Sequence, residues 1–188
     1  VVYNAEKTEE YTFSGWEPSG TVKIAGANVT IKGSWRKAEL YTVTYDLNGG
    51  SKGDEKEALV YGNLKAGEET PKIKDPVRAE ENGVTYVFAG WNPEVSDTVT
   101  GNATYVAQWK ALYKVEYEWT GITTGETYYD AEGNKVEVNL PSGKSGLETG
   151  ETHEVDTTYT AGLVVYNAEK TEEYTFSGWE PSGTVKIA

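Results

Sequence analysis

A nucleophilic triad needs a poised base, and His153 is the only imidazole in this 188-residue chain. It lies in the polar run Thr149-Gly-Glu-Thr-His-Glu-Val-Asp156. With no second His and no Cys to join it, a surface position is expected far ahead of a catalytic or metal role. Thirty acidic residues give many carboxylate pairs, but a number that large produces pairs by chance, so glycosidase chemistry has no specific support. None of them falls into the D-x-[DN]-x-[DN]-G order of a calcium loop. Asn48-Gly-Gly-Ser-Lys52 lacks the spacing of a phosphate-binding loop and is expected to be a hairpin turn. A Lys114–Asn28 isopeptide bond is the one covalent device to weigh, since a Lys in a first strand can condense with an Asn opening a last strand. Alternation puts Lys114 opposite Tyr113, Val115 and Tyr117, toward solvent, which argues against it. No catalytic, cofactor or metal residue is assigned, ligand-binding residues are left undetermined, and no enzymatic activity is expected.

The elements that would position any site are β-strands. Fourteen Tyr, six Trp and three Phe, with abundant Thr, Val and Gly, make a β-rich composition. Large rings offset the shortage of core in a small domain, so the Trp residues are expected to be core pegs. A net charge of −13 opposes binding to nucleic acid and keeps repeated copies mutually repulsive. The chain contains no Cys and no Met. No apolar run approaches the length of a membrane span, and no signal peptide is visible.

Repetition is the strongest signal. Val1 to Ala25 returns letter for letter as Val164 to Ala188, an offset of 163 residues. A period this long exceeds that of solenoid repeats and should contain whole domains, so the chain is expected to be one period of a tandem array plus part of the next. A weaker repeat lies inside it. Tyr11-Thr-Phe-Ser-Gly-Trp-Glu-Pro18 aligns with Tyr86-Val-Phe-Ala-Gly-Trp-Asn-Pro93, and Asn28-Val-Thr-Ile-Lys-Gly-Ser-Trp35 with Asn102-Ala-Thr-Tyr-Val-Ala-Gln-Trp109. Each closing Trp is soon followed by Tyr-x-Val-x-Tyr, at Tyr41 to Tyr45 and Tyr113 to Tyr117.

Period-two alternation predicts strands at Tyr41-Val43-Tyr45-Leu47, at Tyr113-Val115-Tyr117-Trp119, at Val29-Ile31-Trp35 and at Val136-Val138-Leu140. Turns are expected at Asn48-Gly-Gly50, Pro18-Ser-Gly20, Glu81-Asn-Gly83, Glu132-Gly-Asn134 and Pro141-Ser-Gly143. The Gly of F-x-G-W should mark a bulge or a close backbone contact. Only 51–70 could hold a short helix. The resulting parse has three parts: 1–38 as the C-terminal part of a long module, 41–110 as a complete module, and 113–188 as a long module lacking its closing strand.

The stretch 41–110, with YTVTYDLNGG, VYGNLKAGEETPKIKDPVR, YVFAGWNP and GNATYVAQW, resembles the Listeria–Bacteroides repeat, the internalin B-repeat type of β-grasp-like module. The longer module, from YKVEYEW through YTFSGWEP and GANVTIKGSW, is similar to the same superfamily and to streptococcal SHIRT repeats, with Tyr174 where those usually carry Trp. This resemblance implies a mainly β fold of tandem β-grasp-like modules with little or no helix, arranged as an elongated rod. It also implies an extracellular stalk of a bacterial surface protein or adhesin, anchored to the cell wall in the full protein, and it transfers no catalytic residue. The partners it implies are neighbouring copies of the repeat, and a host receptor or glycan reached through other domains. No cofactor, nucleic acid or membrane span in this segment is expected. The junctions Arg36-Lys-Ala-Glu-Leu40 and Lys110-Ala-Leu112 contain no Gly, Pro or Ser, so flexible linkers are not expected between modules. Two rival functions remain. One is a glycan- or host-protein-binding module, favoured by Trp residues on outer faces. The other is a fibre subunit whose unfinished last module is completed by residues 26–38 of another molecule.

Overall fold

The computed structural model describes residues 1–188, and the protein is mainly β, with no helix among its elements. It divides into two compact units, one of residues 1–78 with 88–109, the other of 79–87 with 110–188.

In the first unit, β1 (Val2–Tyr3), β2 (Glu9–Glu17) and β3 (Lys32–Glu39) form an antiparallel sheet in chain order. After the single residue Leu40, β4 (Tyr41–Asp46) pairs antiparallel with β5 (Leu59–Leu64). Its other edge is parallel to β7 (Ala103–Val115), with Val43 beside Ala103 and Tyr45 beside Tyr105. β6 (Thr85–Asn92) also pairs with β7. The alternation of β4 delivers Val43 and Tyr45 to one face, where they are buried with Val99 and Tyr105 against Leu59, Tyr61, Ile73 and Trp91. Burial obliges the phenols to find partners. Tyr45 donates to the Pro71 carbonyl at 2.6 Å, and Tyr105 shares a hydrogen bond with the Ser96 hydroxyl at 2.8 Å.

The helix considered for 51–70 does not form, because β5 occupies 59–64. Leu59, Tyr61 and Leu64 serve the core from an extended backbone, while Gly62 and the left-handed Asn63 (φ 60°) disfavour a helix. Asn48 and Gly49 (φ 46° and 80°), like Asn82 and Gly83 (φ 52° and 77°), take the paired positive angles of tight turns, but the first is not the expected hairpin, since it leads to Ser51, which bridges Val77 and not β4. Glu81 and Val84 exchange both backbone hydrogen bonds around the second pair.

The F-x-G-W segments share one local form. Gly15, Gly90 and Gly178 have φ of 131°, 107° and 113°, values open to glycine and strained for other residues. The β2·β3 register shifts between Phe13 and Gly15, which is the expected bulge. The following X-Pro peptide is cis in all three segments.

The second unit holds the end of β7 and seven short strands: β8 (Tyr128–Tyr129), β9 (Lys135–Val136), β10 (Lys144–Leu147), β11 (Thr152–Glu154), β12 (Val164–Tyr166), β13 (Glu173–Thr175) and β14 (Thr184–Lys186). β10 pairs antiparallel with Tyr113–Val115 of β7. A four-stranded sheet runs β13-β12-β8-β9, and β11 pairs with β14. Tyr128, Leu147, Val165 and Ile187 are its buried apolar residues.

Candidate binding trough in the second unit

Beyond Val115 the chain keeps its alternation without strand pairing, so Tyr117 and Trp119 still turn inward while Glu116 and Glu118 face water. Trp119 stacks on Trp179 at 4.8 Å between ring centroids, and Tyr117 meets Trp179 edge-on at 4.9 Å. Phe176 and Tyr159 close the group, at 5.6 Å and 5.3 Å from Trp119. Trp119, Tyr159, Phe176 and Trp179 floor a trough of about 490 Å³ with Val138, Leu163 and Val165, and Glu118, Glu173 and Glu180 line its margin. The indole N–H groups of Trp119 and Trp179 are buried without an acceptor. Buried donors are normally paired, so two orphans in one cluster are unusual.

Tyr174, on β13, donates to the Glu172 carboxylate at 2.7 Å. That hydrogen bond, ahead of burial and the charge of Glu172, pushes its pKa up to about 12. Tyr166 donates to Glu173 at 3.0 Å, and its pKa is likewise raised, chiefly by that bond.

The two copies of the 25-residue repeat are dressed differently. Val2 is 51% exposed and its equivalent Val165 5%; Ile24 is 72% exposed and Ile187 9%. Trp16 is 59% exposed, touching Phe13 at 5.1 Å, whereas Trp179 lies in the aromatic cluster. Trp35 also stands out from the first sheet, 53% exposed, edge-on to Phe13.

His153, expected at the surface, is half-buried on β11 instead. Its Nε2 lies 3.1 Å from the Tyr117 hydroxyl, which also accepts from the Asp156 N–H at 2.8 Å. This is a bracing contact that pattern reading could not find, because 36 residues separate the two rings. Lys114 turns its ammonium to Glu116 at 3.1 Å, and Asn28 is exposed. No helix is long and apolar enough to cross a membrane.

No family model matches the chain, and no solved structure matches it. It is 26% identical over 157 residues to a protein of Evansella cellulosilytica named "Putative Gly-rich membrane protein". That alignment covers 72% of this chain and 17% of the much longer relative.

Proposed function

We propose that this chain is a non-enzymatic spacer from the stalk of a bacterial cell-surface protein, built of β-grasp-like modules strung in tandem to give reach and rigidity. The observation that carries this is the 25-residue identity at an offset of 163 residues, joined to modules that follow one another with almost no connecting chain. One residue, Leu40, separates β3 from β4, and β7 passes Trp109 without a break to reach Val115. Such junctions leave few free dihedrals, and a string of them keeps its extension without the entropy of a coil. The parallel pairing of β4 with β7, flanked by antiparallel β5, supports the β-grasp-like description. The surface location draws on the resemblance to B-repeat and SHIRT stalks and on the name of the Evansella protein.

Exposed Trp16 and Trp35 give some support to a glycan-binding reading. The same Trp, as Trp179, packs among aromatic rings in the second copy, which weighs against an outer aromatic platform common to both copies. Small-angle scattering of chains with one, two and three periods tests the spacer. The maximum dimension should rise by a constant increment per 163 residues. Growth as roughly the square root of length, the law for a flexible string, would overturn it.

A further inference from the structure

Residues 9–17 and 172–180 are one sequence in two settings. On one edge the settings agree: Val2 with Tyr11 and Tyr3 with Glu10 recur as Val165 with Tyr174 and Tyr166 with Glu173. On the other edge they differ. β2 carries β3 along its whole length, whereas β13 ends its sheet. Glu172 and Phe176 direct their backbone groups to Asn167, Leu163 and Gly162. Antiparallel alternation therefore turns those of Glu173 and Thr175 away from β12, on two exposed residues. The trough lies beside this edge and is bounded opposite by Glu118 to Ile122.

The middle module shows what such a space holds. There β7 lies parallel to β4 and also pairs with β6, and Trp109 packs on Phe88 at 5.8 Å while donating to the Leu47 carbonyl at 3.2 Å. Asn102 accepts from the Thr42 N–H at 2.8 Å. Gly26–Glu39 carries the matching grammar, with Asn28 for Asn102 and Trp35 for Trp109.

We propose that the trough is a strand-accepting site and that its occupant is Gly26–Glu39 of a second copy of this chain. The segment lies antiparallel to 172–180 and parallel to 115–118. The β2·β3 register, carried over, sets Trp35 opposite Phe176, Arg36 opposite Thr175 and Lys32 opposite Glu180. The β4·β7 register sets Val29 beside Val115 and Ile31 beside Tyr117. Trp35 then donates to the Trp119 carbonyl, and Asn28 accepts from the Lys114 N–H, as their counterparts do in the middle module.

Two arguments favour this occupant. The donor segment already pairs with a strand identical to its acceptor, so hydrogen bonds lost on β2 are regained on 172–180 and largely cancel. What remains is burial of Val29, Ile31 and Trp35, all exposed in the first unit. Charge also fits. The segment carries Lys32, Arg36 and Lys37 against one acid, Glu39, in a chain of net charge −13, and it meets Glu118, Glu172, Glu173 and Glu180. Lys37 already pairs with Glu9, the counterpart of Glu172.

The inference goes beyond the spacer reading, and its failure would leave the length-per-period measurement untouched. The test is light scattering of the full chain and of two blocked forms, with circular dichroism as the folding check. Thr175→Pro blocks the acceptor, since its N–H faces outward; Thr175→Lys, which sets like charge against Arg36, is the second acceptor variant. Ile31→Asp with Trp35→Ala blocks the donor at two exposed residues. The unmodified chain should associate as concentration rises, and each blocked form should stay monomeric. An equimolar mixture of the two should form a one-to-one dimer. A peptide of residues 26–39 should bind the donor-blocked form, and Trp35→Ala in the peptide should weaken it by about 30-fold or more, the loss typical of a buried Trp anchor. A chain monomeric at every concentration, or blocked forms that do not complement, would overturn the proposal. Peptide binding without association of chains would overturn the second copy as donor.

Discussion

Trp16 and Trp179 have the same neighbours in sequence and different neighbours in space, so the same substitution should weigh differently at each. Trp179→Ala removes a ring held by Tyr117, Trp119 and Phe176, and should cost about 3 kcal/mol. Trp16→Ala removes a largely solvated ring and should cost under about 1 kcal/mol. Urea unfolding followed by far-ultraviolet circular dichroism separates the two. Glycine positions offer a second contrast. A Cβ at Gly50 would run into the Trp109 ring and lie 3.0 Å from the Leu47 carbonyl, while one at Gly62 meets only the Thr42 hydroxyl at 3.9 Å. Gly50→Ala should therefore destabilise by about 1–3 kcal/mol and Gly62→Ala should be neutral or slightly stabilising, as melting temperatures would show. Tyr174 gives a pH signature. Its folded pKa of about 12 stands above the ordinary 10.0. The stability linked to it is fully present below pH 10.0 and fades as pH rises toward 12. Glu172→Gln removes the carboxylate acceptor, so ultraviolet titration of the phenols should show the most resistant one moving down toward 10.0.

At the scale of elements, the first sheet depends on carboxylates. Glu9 is held below the usual range by its hydrogen bonds from Lys37 and then Tyr11, and Glu10 chiefly by its bond from Lys65. A lowered pKa contributes stability above the ordinary value of 4.5 that is lost as pH falls through the folded value. Glu9→Gln and Glu10→Gln should therefore flatten the acid limb of a stability–pH profile measured by urea unfolding. Much of this level was legible from the chain. Period-two alternation located β4 and the inward residues from Tyr113 to Trp119, because sterics alone give a strand that period. The F-x-G-W bulge followed from a glycine inside a strand pattern. The helix considered for 51–70 was misplaced, since alternation over Leu59 to Leu64 is short and Gly62-Asn63 blurs it. Val29, Ile31 and Trp35 alternate as a half-buried strand should, yet β3 begins only at Lys32 and all three are exposed, because alternation names a face and not what pairs with it or covers it. The trough and the Tyr117–His153 contact were illegible for the same reason: both join segments far apart in the chain.

At the scale of the molecule, the two compact units carry separate cores, and this has a thermodynamic consequence. Val43 and Tyr45 anchor one core, Tyr128, Leu147 and Val165 the other, and each resembles the burial of a small domain. Cooperative unfolding requires that loss of one core remove support from the other; where the cores are distinct, two transitions are the natural result. Matched substitutions test this, because Val43 is 1% exposed and Val165 5%, and Val→Ala removes the same atoms from each. Either change should cost about 2 kcal/mol, which in a domain of this size moves its own midpoint by roughly 10 °C. In differential scanning calorimetry Val43→Ala should lower one transition and Val165→Ala the other, and the double variant should show both shifts undiminished, as distant independent sites do. A single transition lowered by each change would instead mark the 188 residues as one cooperative block. For the proposed spacer, two transitions would mean that a unit pulled or heated open leaves the other folded, so that stiffness would be lost one increment at a time instead of all at once.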